Sequence, residues 1–97
     1  MKPSDALAIH RTALRQLVAR HGLLNPRVFG STLTKTDTEE SDLDLLVDSV
    51  PGSTTLFTLG GLQAEARELL GVRVEVLTPG FLPPTILDKV LQEAEPL

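Results

Sequence analysis

Phe29-Gly-Ser-Thr-Leu-Thr-Lys-Thr-Asp-Thr-Glu-Glu-Ser-Asp-Leu-Asp-Leu-Leu-Val-Asp48 decides how this 97-residue chain is read. The stretch opens on Gly30-Ser31, directly after the apolar pair Val28-Phe29. It closes on Asp42 and Asp44, one residue apart at the head of Leu45-Leu46-Val47. Side chains two apart in a strand share a face. Both carboxylates therefore aim at one spot, while Leu43 and Leu45 turn the other way. Carboxylates held like this repel, and a hard divalent cation relieves the repulsion by drawing on several oxygen ligands. Taken alone, a cation site and two ordinary surface acids at a strand mouth are equally good accounts. Gly30-Ser31, between a strand and a helix start, can offer backbone N–H groups and a hydroxyl to a phosphate, because glycine admits close approach. As an isolated pair it is also an everyday turn.

On the N-terminal side, Ser4 is the expected N-cap of an amphipathic helix over 5–21, with Asp5 in its first turn. Leu7, Leu14, Leu17, Val18 and His21 form its stripe, and Gly22 stops it. His10 and His21 have no partner at metal-ligand spacing. Asn25-Pro26 signals a turn and Arg27-Val28-Phe29 a short strand. Residues 32–36 form a brief helix or turn, and 36–40 a polar loop. Asp42 to Val47 reads as a strand, stopped at Pro51-Gly52.

On the C-terminal side, Ser53, Thr54 and Thr55 offer N-caps for a helix carrying Leu56, Leu59, Leu62, Ala66, Leu69 and Leu70. Gly60-Gly61 inside it predicts a late start or a kink, each glycine costing about 1 kcal/mol against alanine. Val72 to Leu77 alternates as a strand, with Arg73 and Glu75 on one face. Pro83 or Pro84 opens a last helix with Ile86, Leu87, Val90, Leu91 and Ala94 on its stripe. The order is α-β-α-β-α-β-α, an α/β (α+β) chain forming a single domain over 1–97.

The composition limits the function classes. Hydrophobic residues make up 41% and charged residues 23%, as in an ordinary globular protein rather than a disordered one. There is no Trp or Tyr, so the usual base-stacking platforms are missing. The net charge of −4 leaves no basic face for a nucleic-acid backbone. A nucleotide is not excluded, since one bound metal reverses the local sign. Without cysteine there is neither a disulfide framework nor a thiolate metal site. No apolar run approaches a membrane span, and no signal region follows the start, so the expected location is the cytoplasm.

Glu75 is the third acid of interest. It stands between Val74 and Val76 on a strand able to pair beside 42–47. A charge in that place needs a partner or solvent. Arg73 or Lys35 could supply the partner. Otherwise Glu75 faces Asp42 and Asp44, completing a metal site or acting as a general base.

Gly30-Ser31, ten intervening residues and Asp42-Leu43-Asp44 together resemble the Gly-Ser-x10-Asp-x-Asp signature of the polymerase-beta-like nucleotidyltransferase superfamily. Within it, the chain most resembles the minimal nucleotidyltransferase (MNT) domain proteins. Leu62-Gln63-Ala64-Glu65 through Gly71, Val74-Glu75-Val76-Leu77-Thr78-Pro79, and the tail from Ile86 to Leu97 extend the likeness over nearly the whole chain. The resemblance implies a small mixed sheet with helices packed on one side, and transfer of a nucleoside monophosphate from an NTP, most often ATP, to an acceptor hydroxyl. It implies that Gly30 and Ser31 hold the triphosphate, that Asp42 and Asp44 bind two Mg²⁺ ions, and that Glu75 takes the third acid's place. It also implies a partner, a HEPN-domain toxin whose tyrosine is adenylylated and for which the MNT protein is the antitoxin. Family members often carry Arg and Gly soon after the Gly-Ser pair, where this chain has Thr32, Thr34 and Lys35. Lys35 replaces a bidentate phosphate contact with a point charge. The third acid is commonly Asp, and Glu75 is one methylene longer. These departures motivate an alternative, a binding module that neutralises its partner by occlusion. A homo-oligomer is compatible with the sequence.

Overall fold

A computed structural model describes every residue from Met1 to Leu97. Helix α1 spans Pro3–Arg20, strand β1 Leu24–Phe29, the single-turn helix α2 Ser31–Thr34 and strand β2 Leu43–Asp48. Helix α3 spans Leu56–Leu70, strand β3 Val74–Leu77, helix α4 Pro84–Glu93 and strand β4 Glu95–Pro96, with a 3₁₀ turn at Pro79–Phe81 before α4. The sheet order is β3-β2-β1-β4. Strand β2 runs parallel to β3 and antiparallel to β1, and β4 pairs antiparallel with β1. The expected small mixed sheet is present, with a fourth, two-residue strand added at the edge. So short a strand has no periodicity to read.

The alternation of β2 organises the core. Leu43, Leu45 and Val47 are fully buried and join Leu14, Leu17 and Val18 of α1 and Leu62, Ala66 and Leu70 of α3 in one cluster. The two long helices thus lie on one face, as expected. On the opposite face Leu46 meets Leu82 of the turn and Val90 of α4, so α4 lends that face a smaller cover. No helix is long and apolar enough to cross a membrane.

Several local expectations are corrected. Helix α1 begins at Pro3, which suits a first helical position because it lacks an N–H. Ser4 is therefore inside the helix. Its N–H and hydroxyl both donate to the Asp37 carboxylate, at 2.8 and 3.0 Å. The N-terminus of α1 is capped across the fold, by an acid 33 positions away. Strand β1 begins at Leu24 instead of Arg27, since Asn25 adopts φ 52° and forms, with Pro26, an irregularity within the strand rather than a turn before it. Asn tolerates that left-handed conformation better than most residues. Arg27 and Asn25 both donate to Asp48, each at 3.1 Å, tying the irregularity to β2. Helix α3 runs unbroken through Gly60-Gly61 from a capping box at Thr55 and Thr58. Burial of Leu59, Leu62, Ala66 and Leu70 outweighs the glycine cost there, while Leu56 is exposed.

Candidate active site

The strand register sets out the acids. Asp44 is paired with Glu75 across the parallel β2–β3 ladder, and Leu43 with Val74. One step earlier, the same register sets Asp42 beside Arg73. All four side chains belong to the face away from α1 and α3, because parity in a strand decides the face. Asp42 lies just before the first ladder residue of β2, so it caps the strand mouth from the loop rather than from within the strand.

The two cross-strand pairs differ in charge. Arg73 Nε donates to Asp42 Oδ1 at 2.8 Å, and the same guanidinium donates to the Glu40 carbonyl. Asp44 has no such partner. It is half-buried, and its carboxyl is pushed up to about 6 by that burial, then by the Glu75 carboxylate and then by Asp42. Glu75 is exposed. The alternative pairing of Arg73 with Glu75 is not adopted, because the register offers Asp42 to Arg73 first.

Gly30 brings the phosphate-type turn against this acid. It ends β1 with φ 78° and ψ −153° and precedes α2, with Ser31 as the first helical residue. A Cβ at position 30 would stand 2.5 Å from Asp44 Oδ2. A side chain there would have to push the Asp44 carboxylate aside, and φ 78° strains any L residue whatever the space. The ten residues between the Gly-Ser pair and Asp42 thus close a loop in space, with Gly30 resting on Asp44.

The loop itself is held by its own polar groups. Asp37 is buried at 6% exposure beneath the start of α1. Burial opposes its ionisation, but the hydrogen bonds from Ser4 outweigh that and hold its carboxyl below the usual range. The Thr38 N–H donates to Ser41 Oγ at 2.9 Å, and the Ser41 N–H to the Thr38 carbonyl at 3.1 Å.

The structure brings together Gly30, Asp44 and Glu75, with Asp42 at the rim and Ser31 next to Gly30 in the chain. It does not set Lys35 among them. Lys35, in the left-handed conformation at the end of α2, lines a groove with Lys2, Arg11, Thr32 and Pro96. No three acidic or histidine side chains converge on one point. The donor set nonetheless suits a hard cation. Three carboxylates share one end of a parallel pair of strands, and the central one is held unpaired beside the others.

Sequence reasoning missed the Asp42–Arg73 pair and the Ser4–Asp37 cap. Register would have revealed the first, since 42 and 73 align once 44 and 75 do. The second carries no local signal.

The family follows from comparison with known proteins. A nucleotidyltransferase domain model matches residues 7–96. The chain belongs to the nucleotidyltransferase family. It is 36% identical over 78 residues to a protein of Methanocaldococcus jannaschii provisionally named a protein adenylyltransferase, covering 80% of this chain and 83% of that one. A solved structure described as a minimal nucleotidyltransferase superposes with a TM-score of 0.86 at 41% identity, covering 97% of this chain and 95% of the other. A toxin–antitoxin structure with AMP-PNP shares the fold, with a TM-score of 0.74 at 16% identity over 88% of this chain and 69% of that one.

Proposed function

We propose that this nucleotidyltransferase transfers AMP from ATP to a hydroxyl of a protein acceptor, a tyrosine of a cognate HEPN-domain toxin, and so acts as that toxin's antitoxin. The observation that carries the reading is the seat of Gly30 against Asp44, with Glu75 paired across from Asp44. It joins a phosphate-type turn to an acidic cluster at one end of the sheet. The name of the 36% identical relative supports the protein acceptor. Toxin–antitoxin assemblies sharing this fold, one with AMP-PNP and one described as MntA–HpeT, support the partner and the nucleotide.

In this reading the Gly30-Ser31 turn holds the triphosphate, and Lys35, which lines a separate groove, takes no part. Asp42 and Asp44 would hold two Mg²⁺ ions, whose charge would neutralise phosphate and stabilise an in-line displacement. The acceptor oxygen forms a bond to the α-phosphorus, the bond from that phosphorus to the bridging oxygen breaks, and pyrophosphate leaves. Glu75, exposed beside Asp44, would complete that ligand set or act as the base that takes the hydroxyl proton. The absence of a Cβ at Gly30 keeps the phosphates' approach open.

Incubation with α-labelled ATP, Mg²⁺ and the HEPN-domain partner tests this. Label on the partner with the wild-type chain, and none with Asp42→Asn/Asp44→Asn, is expected. Equal labelling by both forms would overturn the enzymatic reading. The engagement of Asp42 by Arg73 favours weighing the occlusion alternative, in which Asp44→Ala still protects cells from the toxin. Loss of protection in that variant counts against occlusion.

A further inference from the structure

We propose that Arg73 is a positioning residue that serves as the resident counter-cation of Asp42, and that a divalent cation entering the site must displace it. The inference rests on the cation-binding role of Asp42 and Asp44 proposed above. Four observations carry it. The register pairs Asp44 with Glu75, and just before its first pair Asp42 meets Arg73, so one acid meets a cation and its neighbour another acid. Arg73 Nε bonds Asp42 Oδ1 at 2.8 Å. The same guanidinium takes the Glu40 carbonyl, which fixes the end of the 38–42 loop and with it the aim of Asp42. Finally, no three acidic side chains are gathered into one cluster.

The arrangement has a direct consequence. Two opposite charges brought to the strand mouth compete for one carboxylate. The Arg73 guanidinium is fixed there by a planar fork reaching two acceptors, which a lysine cannot copy. A cation that takes Oδ1 of Asp42 must therefore break the ion pair. A cation arriving with a triphosphate brings further ligands that offset the same cost. Arg73 thus weakens cation binding at Asp42, and the free ion has no such offset. The pair is exposed, so its effect is of the size of a surface ion pair and is screened by salt.

The test is titration of Mn²⁺ alone, followed by electron paramagnetic resonance, into wild type, Arg73→Gln, Arg73→Lys, Asp44→Asn and Arg73→Gln/Asp42→Asn. Circular dichroism checks that each folds, which the exposure of Arg73 favours. Arg73→Gln is expected to bind Mn²⁺ about fivefold more tightly than wild type at low salt. Arg73→Lys should fall between them, the gain should vanish in Arg73→Gln/Asp42→Asn, and it should shrink in high salt. Equal or weaker binding by Arg73→Gln, with binding still lost in Asp44→Asn, overturns the role of Arg73 and leaves the metal site standing. Mn²⁺ binding by no variant, even with a non-hydrolysable ATP analogue, overturns the metal site and this inference with it.

Discussion

The two faces of β2 are built from the same six residues and behave as opposites. Leu43, Leu45 and Val47 are sealed beneath α1 and α3 with no exposed surface. Asp44, Leu46 and Asp48 face the other way, and only Leu46 is covered, by α4 and the turn before it. On the sealed face every contact stabilises the fold. On the open face Asp44 is held half-buried next to Glu75 and Asp42 with no cation of its own. Strand parity alone separates the two duties. One short strand can therefore carry both the core and the candidate site.

Substitutions that act on one face and spare the other test that separation. The largest effect belongs to the open face. Asp44→Asn should lower transfer activity by about a thousandfold, roughly 4 kcal/mol of transition-state stabilisation, measured as label transferred per unit time. Next comes the sealed face. Leu45→Ala removes a fully buried side chain and should cost about 3 kcal/mol in urea unfolding. Activity per folded molecule should stay near wild type, and a loss there matching that of Asp44→Asn would erase the distinction. Gly30→Ala touches both duties. Its Cβ meets Asp44 Oδ2, and φ 78° disfavours any L side chain, so a cost of about 2 kcal/mol and a loss of activity should appear together.

The smallest effect concerns the loop that joins the turn to the acids. Asp37 is held below its ordinary value of 3.8, once the Ser4 hydrogen bonds have overcome the burial that opposes ionisation. A depressed carboxyl stabilises the fold above the unfolded value, and that contribution is lost as pH falls through the folded value. Asp37→Asn should cost about 1 kcal/mol at neutral pH, the scale of a helix cap. It should also flatten the loss of stability below pH of about 4, read from thermal unfolding across acid buffers.

Much of this was legible in the sequence because it is local. The Gly30-Ser31 turn, the Asp42/Asp44 spacing and the stripes of α1 and α3 depend on neighbours within a turn or a strand. Long-range pairing was not legible. Ser4 looked like a cap by residue type, and the acid that caps the helix comes from the distant loop. Leu56 fitted the α3 stripe and is exposed, since nothing packs over the first turn of that helix. Arg73 and Glu75 were assigned correctly to one face, but which acid each would meet awaited the β2–β3 register. Lys35 has the charge and the nearness to Ser31 that suit a phosphate contact, and the end of α2 carries it to a different groove.

The measurement that tests the account most directly is thermal unfolding of metal-free wild type and Asp44→Asn at neutral pH, on the preparations assayed for transfer. Burial and the neighbouring carboxylates raise the Asp44 carboxyl to about 6, so its ionisation costs the fold stability that is lost between its ordinary value of 3.8 and about 6 and stays lost at neutral pH. Because the group is half-exposed and solvent screens it, the penalty is about 1 kcal/mol. Asp44→Asn should therefore unfold about 5 °C higher than wild type while transferring almost no label. A variant that unfolds lower than wild type, or that keeps its activity, would contradict the claim that Asp44 is held for function against the stability of the fold.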